Sequence, residues 1–291
     1  MKRLVWLLLF SLLLSLCSLG LAQFPRTLTD DLGRVVSLKA APVRVVSLLP
    51  SLTETVCALN VCGRLVGVDD FSNFPQSVTR LPRVGGYFNP NLEAMVALKP
   101  DLVLVSVYGK LYEQLEAAGV QTFAVRTESY DDIFRSTRLL GRLLGVEAQA
   151  ERLVAQIQAQ IYAVETRAAK AAERPTVYYE IDPTPYSVGP NSFIGTLIAK
   201  ARGVNIIPRE LGDFPQVSPE LVVQKNPAVI ALTHPGAADL AKRAGWAGVR
   251  AVQNRRVCSF AGEQADLLSR PGPRVAQGLG LLVGCFHPNL R

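Results

Sequence analysis

Glu93-Ala-Met-Val-Ala-Leu-Lys-Pro-Asp-Leu-Val-Leu-Val105 aligns without gaps on Glu220-Leu-Val-Val-Gln-Lys-Asn-Pro-Ala-Val-Ile-Ala-Leu232. In each copy a valine follows the glutamate by three residues and a proline by seven. Each reads as a short helix, a proline stop and a buried, β-branched strand, the grammar of a parallel sheet covered by helices. Upstream, Tyr87 and Phe214 each stand six residues before their glutamate. The repeat therefore predicts two related lobes, each presenting an aromatic and then an acidic helix start.

Working outward, the strand candidates of the first half are 44–47, 65–68, 101–107 and 121–125. Those of the second half are 177–181, 228–233 and 256–260. Ser51-Leu-Thr-Glu54 has the form of a capping box, and Ser218-Pro219-Glu220 sets an N-cap before a proline at the first helical position. Between the halves runs the longest helical stretch, about 147–173. Its Leu153, Ile157, Ile161 and Val164 make one apolar stripe, and Pro175 stops it. One long helix between two α/β lobes is a stiff connector.

The 291 residues, 49% hydrophobic and 19% charged, exclude a disordered or fibrous chain and suit two domains. Residues 1–22 read as a signal peptide: Lys2 and Arg3, an apolar run over 4–16, and Gly20-Leu-Ala22 before the expected cleavage. The remaining divisions are an N-terminal lobe over 23–146, the connecting helix over 147–174 and a C-terminal lobe over 175–291. Leu16 before Cys17 disfavours a lipid anchor there. No second apolar run reaches the roughly 18 residues needed to span a bilayer. An exported, periplasmic, monomeric protein follows. Its basic residues are scattered, so the pI of about 9.3 gives no nucleic-acid signal.

Cys57, Cys62, Cys258 and Cys285 are an even set for an oxidising compartment. Cys57 and Cys62 are close enough to bridge a helix end, and Cys258 and Cys285 fall together near the C-terminus. The alternative is four small buried hydrophobes. With no C-x-x-C and only His234 and His287, a metal site is not expected, nor any resident cofactor. The two histidines read as structural. A hydrolase is disfavoured by the lack of a G-x-S-x-G nucleophile motif.

Aromatics stand where loops leave strands: Phe71, Phe74, Tyr87, Phe88, Tyr186 and Phe214. Such positions suit ligand contact in a cleft between lobes, or else cover of each lobe's own sheet edge. Asp266 and Arg270, four apart, either point into that cleft or form a surface ion pair of small worth.

Four stretches carry a resemblance: 47–54 (Ser-Leu-Leu-Pro-Ser-Leu-Thr-Glu), 71–75 (Phe-Ser-Asn-Phe-Pro), 91–101 (Asn-Leu-Glu-Ala-Met-Val-Ala-Leu-Lys-Pro-Asp) and 214–220 (Phe-Pro-Gln-Val-Ser-Pro-Glu). Together they resemble the periplasmic cobalamin-binding protein family, within the ABC-transporter substrate-binding proteins for siderophores, haem and cobalamin. The resemblance covers essentially the whole chain after residue 22. It implies an α/β fold of two Rossmann-like lobes joined by one long helix, with the ligand cleft between the lobes. It implies a corrinoid in that cleft, touched by aromatics matching Phe71, Tyr87 and Phe214 and by polar contacts matching Asp266 and Arg270. It also implies one glutamate per lobe docking onto arginines of a membrane permease, matching Glu93 and Glu220. A ferric siderophore or haem is the alternative ligand. The family disulfide would fall near Ala201 and does not carry over.

Overall fold

The computed structural model describes residues 24–86, 89–108 and 111–290. Residues 1–22, expected to be a signal peptide, and Tyr87 and Phe88 lie outside the described residues.

The chain opens with an antiparallel hairpin, β1 (Arg26–Thr29) and β2 (Val35–Leu38). The first lobe follows as β3 (Val45–Ser47), α1 (Pro50–Ala58), β4 (Leu65–Val68), α2 (Leu92–Ala97), β5 (Leu102–Val105), α3 (Leu111–Ala117), β6 (Thr122–Ala124) and α4 (Tyr130–Leu144). Its sheet is parallel, in the order β4-β3-β5-β6. Both faces are covered, so β5 and β6 are wholly buried and apolar or nearly so. The hairpin covers the free edge at β6. Ala124 donates its N–H to Asp30 Oδ2 (3.1 Å), and its carbonyl accepts the N–H of Asp31 (3.1 Å).

The connector is α5 (Glu147–Ala168). It ends six residues short of the expected 147–174 segment because the apolar stripe ends at the buried Ala168, and residues 169–174 turn toward the next strand. The second lobe comprises β7 (Thr176–Asp182), β8 (Tyr186–Ser187), α6 (Phe193–Lys200), β9 (Val204–Asn205), α7 (Pro219–Lys225), β10 (Val229–Leu232), α8 (Arg250–Gln253), β11 (Val257–Ser259), α9 (Glu263–Ser269) and α10 (Val275–Phe286). Its sheet runs β11-β10-β7-β8, with β9 also on β7; only β8 is antiparallel.

The repeat is visible in three dimensions. α2–β5 and α7–β10 occupy the two copies, and Met95 and Val222 are each fully buried. Lys99 and Asn226, each just before its proline, are both left-handed, at φ 47° and 46°.

Apolar cores lie on both faces of each sheet. α4 and α5 belong to both lobes: Leu139, Leu140, Leu143, Leu144 and Ala150 fill the first core, whereas Ile133, Ile157 and Ile161 fill the second. Leu153 touches both. Each fully buried branched side chain contributes about 1.5–3 kcal/mol, so the connector is bolted into the two cores along its length. α4 and α5 approach closely at Gly141, where an added Cβ would lie 2.4 Å from that of Ala150. Disulfides join Cys57 to Cys62 and Cys258 to Cys285, the latter tying β11 to α10.

Candidate ligand-binding cleft

In an open parallel sheet the ligand crevice lies beyond the carboxyl ends of the strands, where the strand order reverses. In the first lobe that point lies between β3 and β5; in the second, between β7 and β10. The two carboxyl edges meet each other. From the first lobe, Glu54 in α1 and the 69–75 loop after β4 contact Asp266, Arg270 and Arg274 from α9 and the start of α10.

The sequence expectation of a Ser51 capping box is corrected here. Pro50 takes the first helical position, the helix starts after Leu49, and no side chain caps it. Ser51 is thereby inside the helix, and Glu54 is free to serve the seam. Its carboxylate is 3% exposed and accepts Arg274 Nε at 2.8 Å, Arg274 Nη2 at 2.7 Å and Arg270 Nη1 at 2.9 Å. The Arg274 guanidinium also stacks 3.8 Å above the Phe74 ring. Burial lowers the affinity of Arg274 for its proton, but the Glu54 hydrogen bond and the surrounding carboxylates outweigh it and hold the guanidinium above its ordinary value. Beside it, burial raises the Asp69 carboxyl above the usual carboxylate range, against the opposing bonds from Ser72 and Phe71 N–H.

Both lobes carry exposed aromatic side chains. Phe71 is 68% exposed, and its ring edge lies 3.2 Å from where a Cβ on Gly86 would stand, so Gly86 leaves the ring its seat. Tyr108, beyond the end of β5, is also exposed. In the second lobe, the 213–217 strand segment pairs with 185–189: Ser187 N–H donates to Pro215 O and Gly189 N–H to Asp213 O. This builds one ledge that carries Tyr186 and Phe214, 40% and 56% exposed. An exposed aromatic is costly to leave in water, and several such side chains suit an apolar ligand.

At the switch point of the second sheet, buried Glu180 accepts Arg243 Nη1 (2.7 Å) and Nη2 (2.8 Å) and the Tyr178 hydroxyl (2.8 Å), and it meets His234 Nε2 (2.9 Å). This cluster fixes the long loop after β10 to β7. His287 pairs with the Ala201 carbonyl, and burial holds its imidazole below the usual value. Among the described residues, no group of three His, Cys, Asp or Glu is placed to hold a metal.

Glu93 and Glu220 both lie outside the seam, exposed, in the first turns of α2 and α7. Asn91 and Ser218 cap those helices through side-chain oxygens. The two glutamates thus hold the same position in both lobes and are not needed as caps.

A profile of the periplasmic binding protein family matches residues 45–262. The chain belongs to that family. This periplasmic binding protein is a solute binder and not an enzyme, of the ABC-transporter substrate-binding group that handles cobalamin, haem and siderophores. It is 30% identical to an uncharacterized ABC transporter substrate-binding lipoprotein, YvrC, of Bacillus subtilis, over 91% of this chain and 87% of that one. A cobalamin-binding protein of Halobacterium salinarum is likewise 30% identical, over 91% of this chain and 75% of that one. Among solved structures, the periplasmic heme-binding protein RhuT from Roseiflexus sp. RS-1 superposes with a TM-score of 0.76 at 28% identity, covering 85% of this chain and 99% of that one.

The periplasmic binding protein brings Phe71, Asp266 and Arg270 together at the seam, and Tyr186 and Phe214 stand on one ledge of the second lobe. Asp266 and Arg270 do form their i,i+4 pair, at 2.8 Å, within a larger network. Sequence reasoning overlooked Glu54, Asn73, Tyr108 and Arg274 as site residues. Only Tyr108 had a local signal, an aromatic just past a buried strand.

Proposed function

We propose that this protein is exported, acts as a monomer without a resident cofactor, captures cobalamin or a related corrinoid between its lobes, and hands it to the permease of an ABC importer. The observation that carries the reading is the set of exposed aromatics that both lobes present: Phe71 and Tyr108 on one, Tyr186 and Phe214 on the other. Flat apolar faces of a large macrocycle suit such a receptor. The cobalamin-binding relative from Halobacterium supports the corrinoid. Glu93 and Glu220, fixed at equivalent places on a rigid two-lobe frame, suit paired arginines on a permease, which set orientation and association rate more than affinity.

Calorimetric titration of the purified protein with cyanocobalamin, hemin and a ferric hydroxamate siderophore tests the ligand. Cyanocobalamin is expected to bind at micromolar strength or tighter, about −8 kcal/mol or better. Saturable binding of hemin or of the siderophore, with no heat from cyanocobalamin, overturns it in favour of that ligand. Docking is tested by Glu93→Ala with Glu220→Ala, expected to keep ligand affinity and lose uptake in vesicles carrying the cognate transporter. Normal uptake reduces both residues to surface charges.

A further inference from the structure

Both Nη groups of Arg270 are already engaged by the protein. Nη1 donates to Glu54 Oε1 at 2.9 Å and to Asn73 Oδ1 at 2.8 Å. Nη2 donates to the Phe71 carbonyl at 3.1 Å and forms an ion pair with Asp266 Oδ1 at 2.8 Å. Asn73 closes the ring by donating its Nδ2 to Asp266 Oδ2 at 2.8 Å. Three of these acceptors belong to the first lobe, whereas Arg270 and Asp266 belong to the second. The guanidinium is therefore a rivet through the lobe seam, and its partner loop, 69–75, is the one that carries Phe71 and Phe74. The same loop is held from within its own lobe by Arg83, whose Nη1 donates to the Asp69 and Ser72 carbonyls at 2.6 and 2.7 Å. Arg274 completes the seam alongside, bidentate to Glu54 and stacked on Phe74.

We propose that Arg270, with Asn73 and Asp266, is a positioning element rather than a ligand contact: it locks the lobes and the Phe71 loop in the ligand-ready arrangement before any ligand arrives. A ligand acceptor competing for the Arg270 Nη groups has to displace partners the protein already supplies across the seam. Spending these groups on the seam instead lets the aromatics meet the ligand already in place, which preserves affinity that ordering would otherwise consume. This inference rests on the reading that the ligand lies between the lobes, and it moves the two charged residues from the ligand's surroundings to the frame.

The test pairs a lobe-to-lobe distance with an affinity. Nitroxides on p-acetylphenylalanine are placed at Gln114 in α3 and Gln253 in α8, both exposed, and distances are read by double electron–electron resonance without ligand. The unaltered chain is expected to give one narrow distribution. Arg270→Gln is expected to broaden it, and Asn73→Ala, an exposed change safe for folding, to broaden it less. Arg270→Lys is not expected to restore it, because an ammonium cannot span four acceptors in one plane. Cyanocobalamin Kd should rise by the inverse of the fraction that keeps the original distance, so about tenfold when a tenth remains. A weakened Kd with an unchanged distribution in Arg270→Gln makes Arg270 a direct contact and overturns the proposal. Unchanged distances and unchanged affinity overturn it as well. If the unaltered chain does not bind cyanocobalamin, the ligand reading fails and the distance measurement alone decides the positioning role.

Discussion

Replacing Glu54 with Gln keeps the side-chain volume and removes the one carboxylate shared by Arg270 and Arg274. Three guanidinium N–H bonds of 2.7–2.9 Å are lost or weakened, and the replacement amide turns an N–H donor toward groups that can only donate. Removing one member of a buried pair typically costs 3–5 kcal/mol, because the other charge stays buried without compensation. Arg270 keeps Asp266, and Arg274 keeps the exposed Glu263, so the lower end applies, about 3 kcal/mol. At the typical unfolding entropy per residue, a chain of this length loses about 2 °C for each kcal/mol, so Tm should fall by about 5 °C. Differential scanning calorimetry at pH 7 reads this directly. A double-mutant cycle with Arg274→Met should return a coupling of about 1–3 kcal/mol. A Tm within about 1 °C of the parent, or no coupling, would show that the seam contributes nothing to stability and refute the reasoning.

Phe214→Ala should weaken cyanocobalamin binding by about 1–3 kcal/mol by calorimetry while leaving Tm unchanged, since the ring is more than half exposed; a collapse of Tm with affinity per folded molecule intact would place it in the core. Cys258→Ser with Cys285→Ser opens a bridge between residues 27 apart and should lower the urea-unfolding free energy by about 3–4 kcal/mol on loop entropy, against about 2 for the Cys57–Cys62 pair; equal losses would contradict the loop argument. Asp132 caps α4 and is held below the usual carboxylate range: burial opposes this, but the Ser129 and Glu128 N–H bonds and the Arg135 bond prevail. Its stabilisation is present above the unfolded value of 3.8 and is lost as pH falls through the lowered folded one, so Asp132→Asn should flatten the acid limb of a Tm-versus-pH curve and leave its slope above pH 6 alone. Gly141→Ala should destabilise the chain despite its better helix propensity, because the methyl meets Ala150; a rise in Tm would mean that the helices part freely.

What was legible in the sequence was the part written in local chemistry. Buried parallel strands are continuous apolar runs, so β3 to β7, β10 and β11 stand within a residue or two of where the pattern puts them. The repeat located Glu93 and Glu220 on equivalent helices, and Ser218 caps its helix as Ser-Pro-Glu predicts. The β1–β2 hairpin escaped notice because its strands are four residues each and only half buried, although Asp30-Asp-Leu-Gly33 marks its turn. The two-residue strands β8 and β9 have no period to read. Ser51 misled because Pro50 starts the helix two residues before a Ser51 cap would, a contest between two good start signals. The seam was invisible for another reason: Glu54 and Arg274 stand 220 residues apart, and nothing around either names the other. The i,i+4 spacing of Asp266 and Arg270 showed the pair but not Asn73, Phe71 and Glu54 waiting across the seam.

The central claim is that one ligand is gripped by both lobes at once. Hydrogen–deuterium exchange with and without cyanocobalamin tests it most directly, because it reads each segment separately. The account predicts ligand-dependent protection in 69–75 of the first lobe together with 184–189 and 213–217 of the second, and none in α2 and α7, where Glu93 and Glu220 face outward. Protection confined to one lobe, or centred on α2 and α7, would contradict it.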